Sequence, residues 1–341
     1  MLEGRWGTIG RKIFRFKGKR AAGAAGLVLI LAMVLTAAGC SGGAYDKLMK
    51  AEAKTDAAVT GVTTTRITLE NNFDTASLTA EELKMANYMK KVTYEGRLRF
   101  DHGLGEMASD LYLSMGGIGF DAELYSFGGE TYVKLPVMKK YMNVKDLMKV
   151  EGAQAAAEAQ GDFLSETALE KLGDIWSSVA TPDNVKKTGS ALLRTDSGDL
   201  KTTRYTVEVD PEVVQAALIE SARVITEDLA AKNPDADFSS AIGEMTEIEI
   251  DEVSMISEIS SSGYVVRDDV VIRYHQPGLE TSIRVEIIRD QLDEAVELNL
   301  PEITALELYT SEELDREMPG ALDDLLGTFG IQTTDDTSEA R

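Results

Sequence analysis

The 341-residue chain has few of the side chains on which most catalytic and metal sites depend. It contains one cysteine, Cys40, and two histidines, His102 and His275. A zinc site needs several closely spaced His and Cys ligands, so the two distant histidines are best interpreted as polar residues at strand ends. The sequence also contains neither a GxSxG nucleophile motif nor a P-loop. We therefore predict that the protein is not an enzyme and has no cofactor and no metal site.

Positive charge is also scarce. The chain has 35 Lys and Arg against 58 Asp and Glu, and residues 40–341 alone have 28 against 57. A nucleic-acid-binding protein needs Lys and Arg to displace counterions from phosphates, so we exclude nucleic acid as a partner. The acidic pair Asp268-Asp269 lacks the alternating ligands of a calcium loop and is interpreted as part of a solvated face.

The N-terminus is the exception to this acidity. Seven Lys and Arg precede residue 21, and Ala21–Gly39 then has no charge and ends beside Cys40. A basic region, an apolar run and small residues describe a secretory signal. Three interpretations remain open: a lipoprotein signal peptide removed before Cys40, a retained transmembrane helix, and an ordinary signal peptide. All three place the rest of the chain outside the cytoplasm, because the basic flank stays inside.

The phrase Leu35-Thr36-Ala37-Ala38-Gly39-Cys40 resembles the lipobox of bacterial lipoproteins, with Ala37 where that motif usually has Leu. The resemblance implies that residues 1–39 are a lipoprotein signal peptide and that the Cys40 thiol carries a diacylglyceryl group. The protein would then be lipid-anchored to the cell membrane on its extracytoplasmic face. Residues 40–44 would form a flexible tether.

The rest of the sequence has the pattern of an α+β domain. Residues 92–101 alternate apolar and polar side chains, as in a strand with one dry and one wet face. Gly-Gly pairs separate the next short strands, which favours an antiparallel meander. We predict a domain over 45–310, and a C-terminal segment over 311–341 that ends in an acidic, disordered tail. Predicted strands are 60–70, 92–101, 109–115, 118–125, 131–135, 201–209, 247–255, 264–275, 282–289 and 294–300, and predicted helices are 45–58, 78–91, much of 145–178 and 210–232.

Four phrases are similar to those of the LolA/LolB and LppX-type lipoproteins and carriers: Glu130–Lys134, Thr203–Val207 before Asp210-Pro211, Gly263–Arg267 and Leu298–Ile303. The resemblance implies a half-barrel, which is a curved, mainly antiparallel sheet with helices covering its concave, apolar face. Several family members use the hollow for a lipid or an acyl chain.

Strand parity selects candidate residues for lining that hollow. A register slip of one residue would turn each of them to the other face. The candidates are Tyr94, Leu98, Phe100, Leu111, Leu113, Met115, Val207, Ile272 and Val285.

Two functions remain open on this basis. One is a non-catalytic lipoprotein that binds a lipid or another apolar ligand. The other is a surface structural or interaction lipoprotein whose core is filled by its own side chains, and which binds a protein or an envelope polymer. Filled and hollow barrels have the same alternation, so the sequence does not separate them. It also identifies no protein partner.

Overall fold

The structure is a computed structural model that describes residues 43–147, 164–177, 179–232, 248–314 and 316–317. It has the predicted α+β fold, in which one open antiparallel sheet of 11 strands forms a curved half-barrel and helices pack on one face. The two predicted groups of strands are therefore one continuous sheet. Its strand order is β6-β5-β4-β3-β2-β1-β11-β10-β9-β8-β7.

The strands are linked mainly by short turns, and the described residues also form five α-helices. The strands are β1 Thr60–Phe73, β2 Lys91–Asp101, β3 Glu106–Met115, β4 Ile118–Phe127, β5 Glu130–Lys134, β6 Met142–Asn143, β7 Val185–Thr195, β8 Gly198–Val207, β9 Glu249–Ser260, β10 Val265–Gln276 and β11 Leu279–Asp290. The helices are α1 Ala44–Asp56, α2 Ala80–Met89, α3 Val144–Leu147, α4 Glu166–Ser177 and α5 Pro211–Lys232.

Residues directly opposite each other in an antiparallel pair point to the same face of a sheet. One such row defines what we call the inner face, and the other side is called the opposite face. The row crosses seven strands at Leu113, Tyr94, Ile67, Val285, Val270, Met255 and Val207.

Helices α1, α4 and α5 form the main core with this inner face. Leu48 of α1, Leu218 of α5 and Trp176 of α4 belong to the same buried cluster as Ile272 and Ile283 of the sheet. Trp176 thus docks α4 onto the sheet. Burial of these side chains on both sides is the main force that fixes the helices on the sheet.

Local signals in the sequence account for several helix ends. The side chain of Thr79 accepts a hydrogen bond from the Glu82 backbone N–H, and Glu82 accepts one from the Thr79 backbone N–H, so a capping box starts α2. At α5, Asp210 Oδ1 accepts a hydrogen bond from the Glu212 N–H at 3.0 Å, and Pro211 occupies the first helical position. Both helices begin within two residues of their predicted starts.

Two differences from the predicted strands have physical causes. Residues 294–300 form no strand, because the chain turns sharply at Gln291 and Asp293, which have positive φ, and again at Asn299. Strand β7 was not predicted. Its register shifts between Lys187 and Gly189, so its alternation of apolar side chains is interrupted.

The β7–β8 hairpin extends beyond the sheet as an arm. Strand β8 pairs with β9 only from Thr202 onward, and the turn of the hairpin reaches the opposite face of other strands. Asp196 forms an ion pair with Arg97 of β2, and the Ser197 N–H and Oγ donate hydrogen bonds to Asp290 of β11. We call residues 189–201 the hairpin arm.

The folded body continues past residue 310. Leu314 is fully buried and packs with Met138, Met142 and Tyr309 beside the short strand β6.

Candidate ligand-binding face

All nine candidate lining residues lie on the inner face of the single sheet. Six of them are on β2 and β3 and three are on β8, β10 and β11. The structure divides them further, because the inner face has two parts that differ in what covers them. We call the inner face of β1 and β8–β11 the covered half, and the inner face of β2–β5 the open half.

In the covered half, Val207, Ile272 and Val285 are buried in the main core. The space left beneath the helices is a cavity of about 20 Å³. Trp176, Val253 and the acidic side chain of Asp268 contribute to its lining. A cavity of this size is sufficient for about one water molecule. Among the described residues, the covered half is therefore filled by side chains, and this cavity is too small for an acyl chain.

The open half remains partly accessible to solvent. Leu113 is 41% exposed. Tyr94, Leu98, Leu111 and Met115 are half-buried. The helices described beside these strands are α2, which contacts β1 and β2, and the one-turn α3, which contacts β5 and β6.

Phe100 differs from the other five residues on β2 and β3. It is buried at the end of β2 in a small cluster with Ala58 and Leu292. It therefore supports the end of the sheet and lies outside the exposed surface.

Three further apolar residues extend the open half but were not selected from the sequence. Phe120 is opposite Leu113, Leu124 is opposite Ser109, and Val133 is opposite Leu124. The Gly116-Gly117 and Gly128-Gly129 turns are the signals that could have placed them. Each turn joins two strands by a two-residue loop with positive φ at both glycines. A loop of this type fixes which residues of the two strands lie opposite each other.

A tyrosine ring forms part of the floor of the open half. A Cβ atom added at Gly96 would lie 2.6 Å from the Tyr94 hydroxyl oxygen, so the ring occupies the space above this glycine. Burial raises the pKa of Tyr94. The result is a flat apolar surface between Ile67 on β1 and Leu113 on β3, its partners in the sheet.

A buried polar cluster lies on the inner face beneath α1. Asp268 is 1% exposed, accepts a hydrogen bond from Ser257 Oγ at 2.7 Å, and pairs with Arg289 at 2.5 Å. The expectation that Asp268 belongs to a solvated face is therefore wrong. Asp268 is two residues before Val270 on β10, so both side chains point to the inner face, toward the helices. Its neighbour Asp269 is on the opposite face and pairs with Arg284.

Helix α1 adds Glu52 to this polar cluster. Burial and, after it, the negative charge of Asp268 raise the pKa of Glu52 to about 9, against the opposing effect of Arg289. Burial also raises the pKa of Asp56, one turn later in α1. Glu52 is therefore protonated at neutral pH. No local pattern predicts this cluster, since its members come from three successive strands and from α1, which lies about 200 residues earlier in the chain.

The two histidines lie at strand ends, as predicted. His102 follows β2 and its ring lies 4.6 Å from that of Phe100. His275 Nδ1 lies 2.9 Å from Asp251 Oδ1, and this hydrogen bond raises the pKa of His275. Across the described ranges, no group of three or more His, Cys, Asp or Glu side chains is arranged to hold a metal ion.

The predicted lipid attachment site, Cys40, and the apolar run before it lie outside the described residues. Of the helices that the structure does describe, none combines the length and the apolar character needed to cross a membrane.

Comparisons with known proteins add little to this description. No protein family and no curated protein matches the sequence. A match among solved structures is a β-barrel-like protein of domain of unknown function DUF1849 from Brucella abortus. It is 9% identical, the alignment covers 68% of this chain and 98% of that one, and the TM-score is 0.16. A score this low carries no argument, so the resemblance to LolA/LolB and LppX rests on the sequence phrases alone.

Proposed function

We propose that the protein is a non-catalytic lipoprotein, anchored through diacylglyceryl-Cys40 to the extracytoplasmic face of the cell membrane, and that it binds a lipid or another apolar ligand. The ligand occupies the open half, since the covered half is filled. The observation that carries the proposal is the continuous apolar surface across β2–β5, with Leu113 still 41% exposed.

The physical basis is the burial of apolar surface. Each CH₂ group that leaves water contributes about 0.8 kcal/mol, so an acyl chain laid along several strands gains a substantial free energy. Exposed apolar residues scattered singly need no explanation, whereas a contiguous surface of them is typical of a binding site. The side chains of Tyr94, Leu111, Leu113 and Phe120 provide such a surface because their strands are adjacent.

A second candidate function is supported by a different observation. The cavity under the helices holds only about 20 Å³, as expected for a structural or interaction lipoprotein that binds a protein or an envelope polymer through its surface. Under this alternative, the open half contacts that partner and no small apolar ligand is bound.

Native mass spectrometry of the full chain purified from membranes distinguishes the two candidates. We expect a co-purifying lipid in addition to the lipid on Cys40, and loss of that lipid in Leu113→Trp. The matched control is Tyr112→Trp, the adjacent residue of β3, which is 38% exposed but points to the opposite face. A wild-type protein that stays empty when offered lipid, or equal loss in both variants, would contradict ligand binding on the open half.

The anchor is tested separately. The mass of the N-terminal peptide is expected to show a diacylglyceryl group on Cys40 and no residues before it, and Cys40→Ser is expected to lack the modification. An unmodified Cys40 in the wild-type protein would contradict anchoring and leave the ligand question open to its own experiment.

A further inference from the structure

Helix α1 presents a row of lysines in a protein that is otherwise strongly acidic. Lys47, Lys50 and Lys54 recur at spacings of three and four residues, so they lie on one side of the helix, and all three are exposed. Leu48 and Ala51 form the side that packs on the sheet. The acidic residue Glu52 is buried and, with its raised pKa, adds no negative charge to this surface at neutral pH.

Two of these lysines have no counter-ion in the described part of the chain. Lys47 and Lys50 form no ion pair with any residue between 43 and 147 or in the later described ranges, whereas the neighbouring surface of β7 pairs Lys186 with Glu208. Lys54 is held differently: its Nζ donates a hydrogen bond to the Ser262 carbonyl at 2.7 Å and lies over the ring of Tyr264.

Strand β7 adds a third unpaired lysine on the same side of the sheet. Lys187 is opposite Tyr205 and therefore lies on the inner face, and α1 contacts β7. Lys187 is exposed and also lacks an ion pair within the described residues. We call Lys47, Lys50 and Lys187 the lysine patch.

Two residues of the lysine patch, Lys47 and Lys50, follow closely after Cys40, the proposed site of membrane attachment. Helix α1 begins at Ala44, so only Ser41, Gly42 and Gly43 separate it from Cys40. A fully extended segment of this length spans roughly 3.5 Å per residue. The chain from Cys40 to Ala44 therefore reaches at most about 14 Å. A lipid on Cys40 would keep the start of α1 near enough for its lysines to approach the headgroups within the Debye length of about 8 Å at physiological salt.

We propose that the lysine patch binds anionic phospholipid headgroups and so orients the anchored domain with α1 against the bilayer. This inference rests on the proposed anchor at Cys40. The two acyl chains of a diacylglyceryl group supply stable attachment, and a basic surface beside them adds an attraction to anionic headgroups that orients the domain. The net charge of the protein opposes adsorption of the whole surface, so the contact is confined to the side that carries the patch.

Lysine labelling of the full, processed chain in vesicles tests the orientation. The protein is reconstituted into phosphatidylcholine vesicles and into vesicles with added phosphatidylglycerol, treated with a water-soluble amine-reactive ester, and mapped by mass spectrometry. We expect labelling of Lys47, Lys50 and Lys187 to fall about threefold or more on the anionic vesicles and to recover at about 1 M salt. Lys90, an exposed lysine at the end of α2 that forms no ion pair within the described residues, is the internal control and is expected to label equally on both.

A double variant provides the second measurement. Lys47→Glu with Lys50→Glu is expected to remove the protection of Lys187 on anionic vesicles, whereas Lys90→Glu leaves it intact. Equal labelling of the patch on both vesicle types would overturn the proposal, and so would equal protection by a soluble anionic polymer on phosphatidylcholine vesicles. If the anchor itself is absent, the protein fails to float with phosphatidylcholine vesicles, which distinguishes that failure from failure of the patch.

Discussion

The covered and open halves of the inner face are built from the same kind of strand but have different surroundings. Ile283 in the covered half is 1% exposed and Leu113 in the open half is 41% exposed, although both are leucine-sized residues on the same face of one sheet. The alternation of a strand specifies which side chains share a face. Whether that face is covered depends on helices from elsewhere in the chain, here α1, α4 and α5.

The two halves also differ in polarity. The covered half contains the buried cluster of Asp268, Arg289 and Glu52, whereas the open half is apolar apart from residues such as Ser109. A charged group in a packed core needs its partner, because water is not available to replace it. We therefore expect the covered half to be the more sensitive to substitution, and the three predictions below test this.

The largest effect is expected for Arg289→Met, which leaves Asp268 buried without its cation. Removal of one partner of a buried pair typically costs about 3–5 kcal/mol of unfolding free energy. The matched control is Arg284→Met, whose partner Asp269 is on the opposite face and whose own side chain is about half exposed; its cost is expected to be about 1 kcal/mol or less. Urea denaturation measures both, and equal losses would show that the cluster does not depend on its burial.

A smaller difference is expected between apolar truncations in the two halves. Ile283→Ala removes a fully buried side chain from the main core and is expected to cost about 3 kcal/mol, because the cavity it leaves is enclosed. Leu113→Ala is expected to cost about 1 kcal/mol or less, since much of that side chain already contacts water. Denaturant midpoints give the comparison directly. A loss of equal size for Leu113→Ala would mean that the open half is packed in solution.

The smallest expected effect is a stabilisation. Glu52 ionises near pH 4.5 when unfolded, and burial raises its folded pKa to about 9. The stability that its protonated form provides is therefore complete below about pH 4.5 and is lost as the pH rises toward 9. Glu52→Gln keeps the neutral group at every pH, so we expect it to raise the unfolding free energy at pH 6 by about 2 kcal/mol and to leave it unchanged at pH 4. Thermal unfolding across this range would refute the prediction if both proteins had the same pH profile.

Much of the sheet could be predicted from the sequence because its local signals agree with its register. The alternation over 92–101 and the Gly-Gly turns predict β2 to β5, and they place the six lining candidates of β2 and β3 on one face. The polar cluster could not be predicted. Asp268 has the same parity as Val270 and Ile272 and so faces the core. An aspartate is stable at that position only because Arg289 of β11 pairs with it and Glu52 of α1 beside it is protonated.

Other failures have equally local causes. Val296, Leu298 and Leu300 alternate like a strand, but the positive φ of Asp293 and Asn299 turns this segment away from the sheet. Conversely, the apolar residues Val185 and Leu193 of β7 point to different faces, since the register shift near Gly189 lies between them. The division of the inner face into halves depends on which strands the helices pack against. The alternation of residues within a single strand does not predict this packing.

The hairpin arm has a mechanical consequence. Asp196 and Ser197 link the far end of the sheet to Arg97 on β2 and Asp290 on β11, and thus bypass β9 and β10. While these contacts hold, the strands between the two linked points cannot move apart independently of one another. A change in the curvature of the sheet between β8 and β2 therefore requires either that this link break or that the hairpin arm move with the strands it contacts.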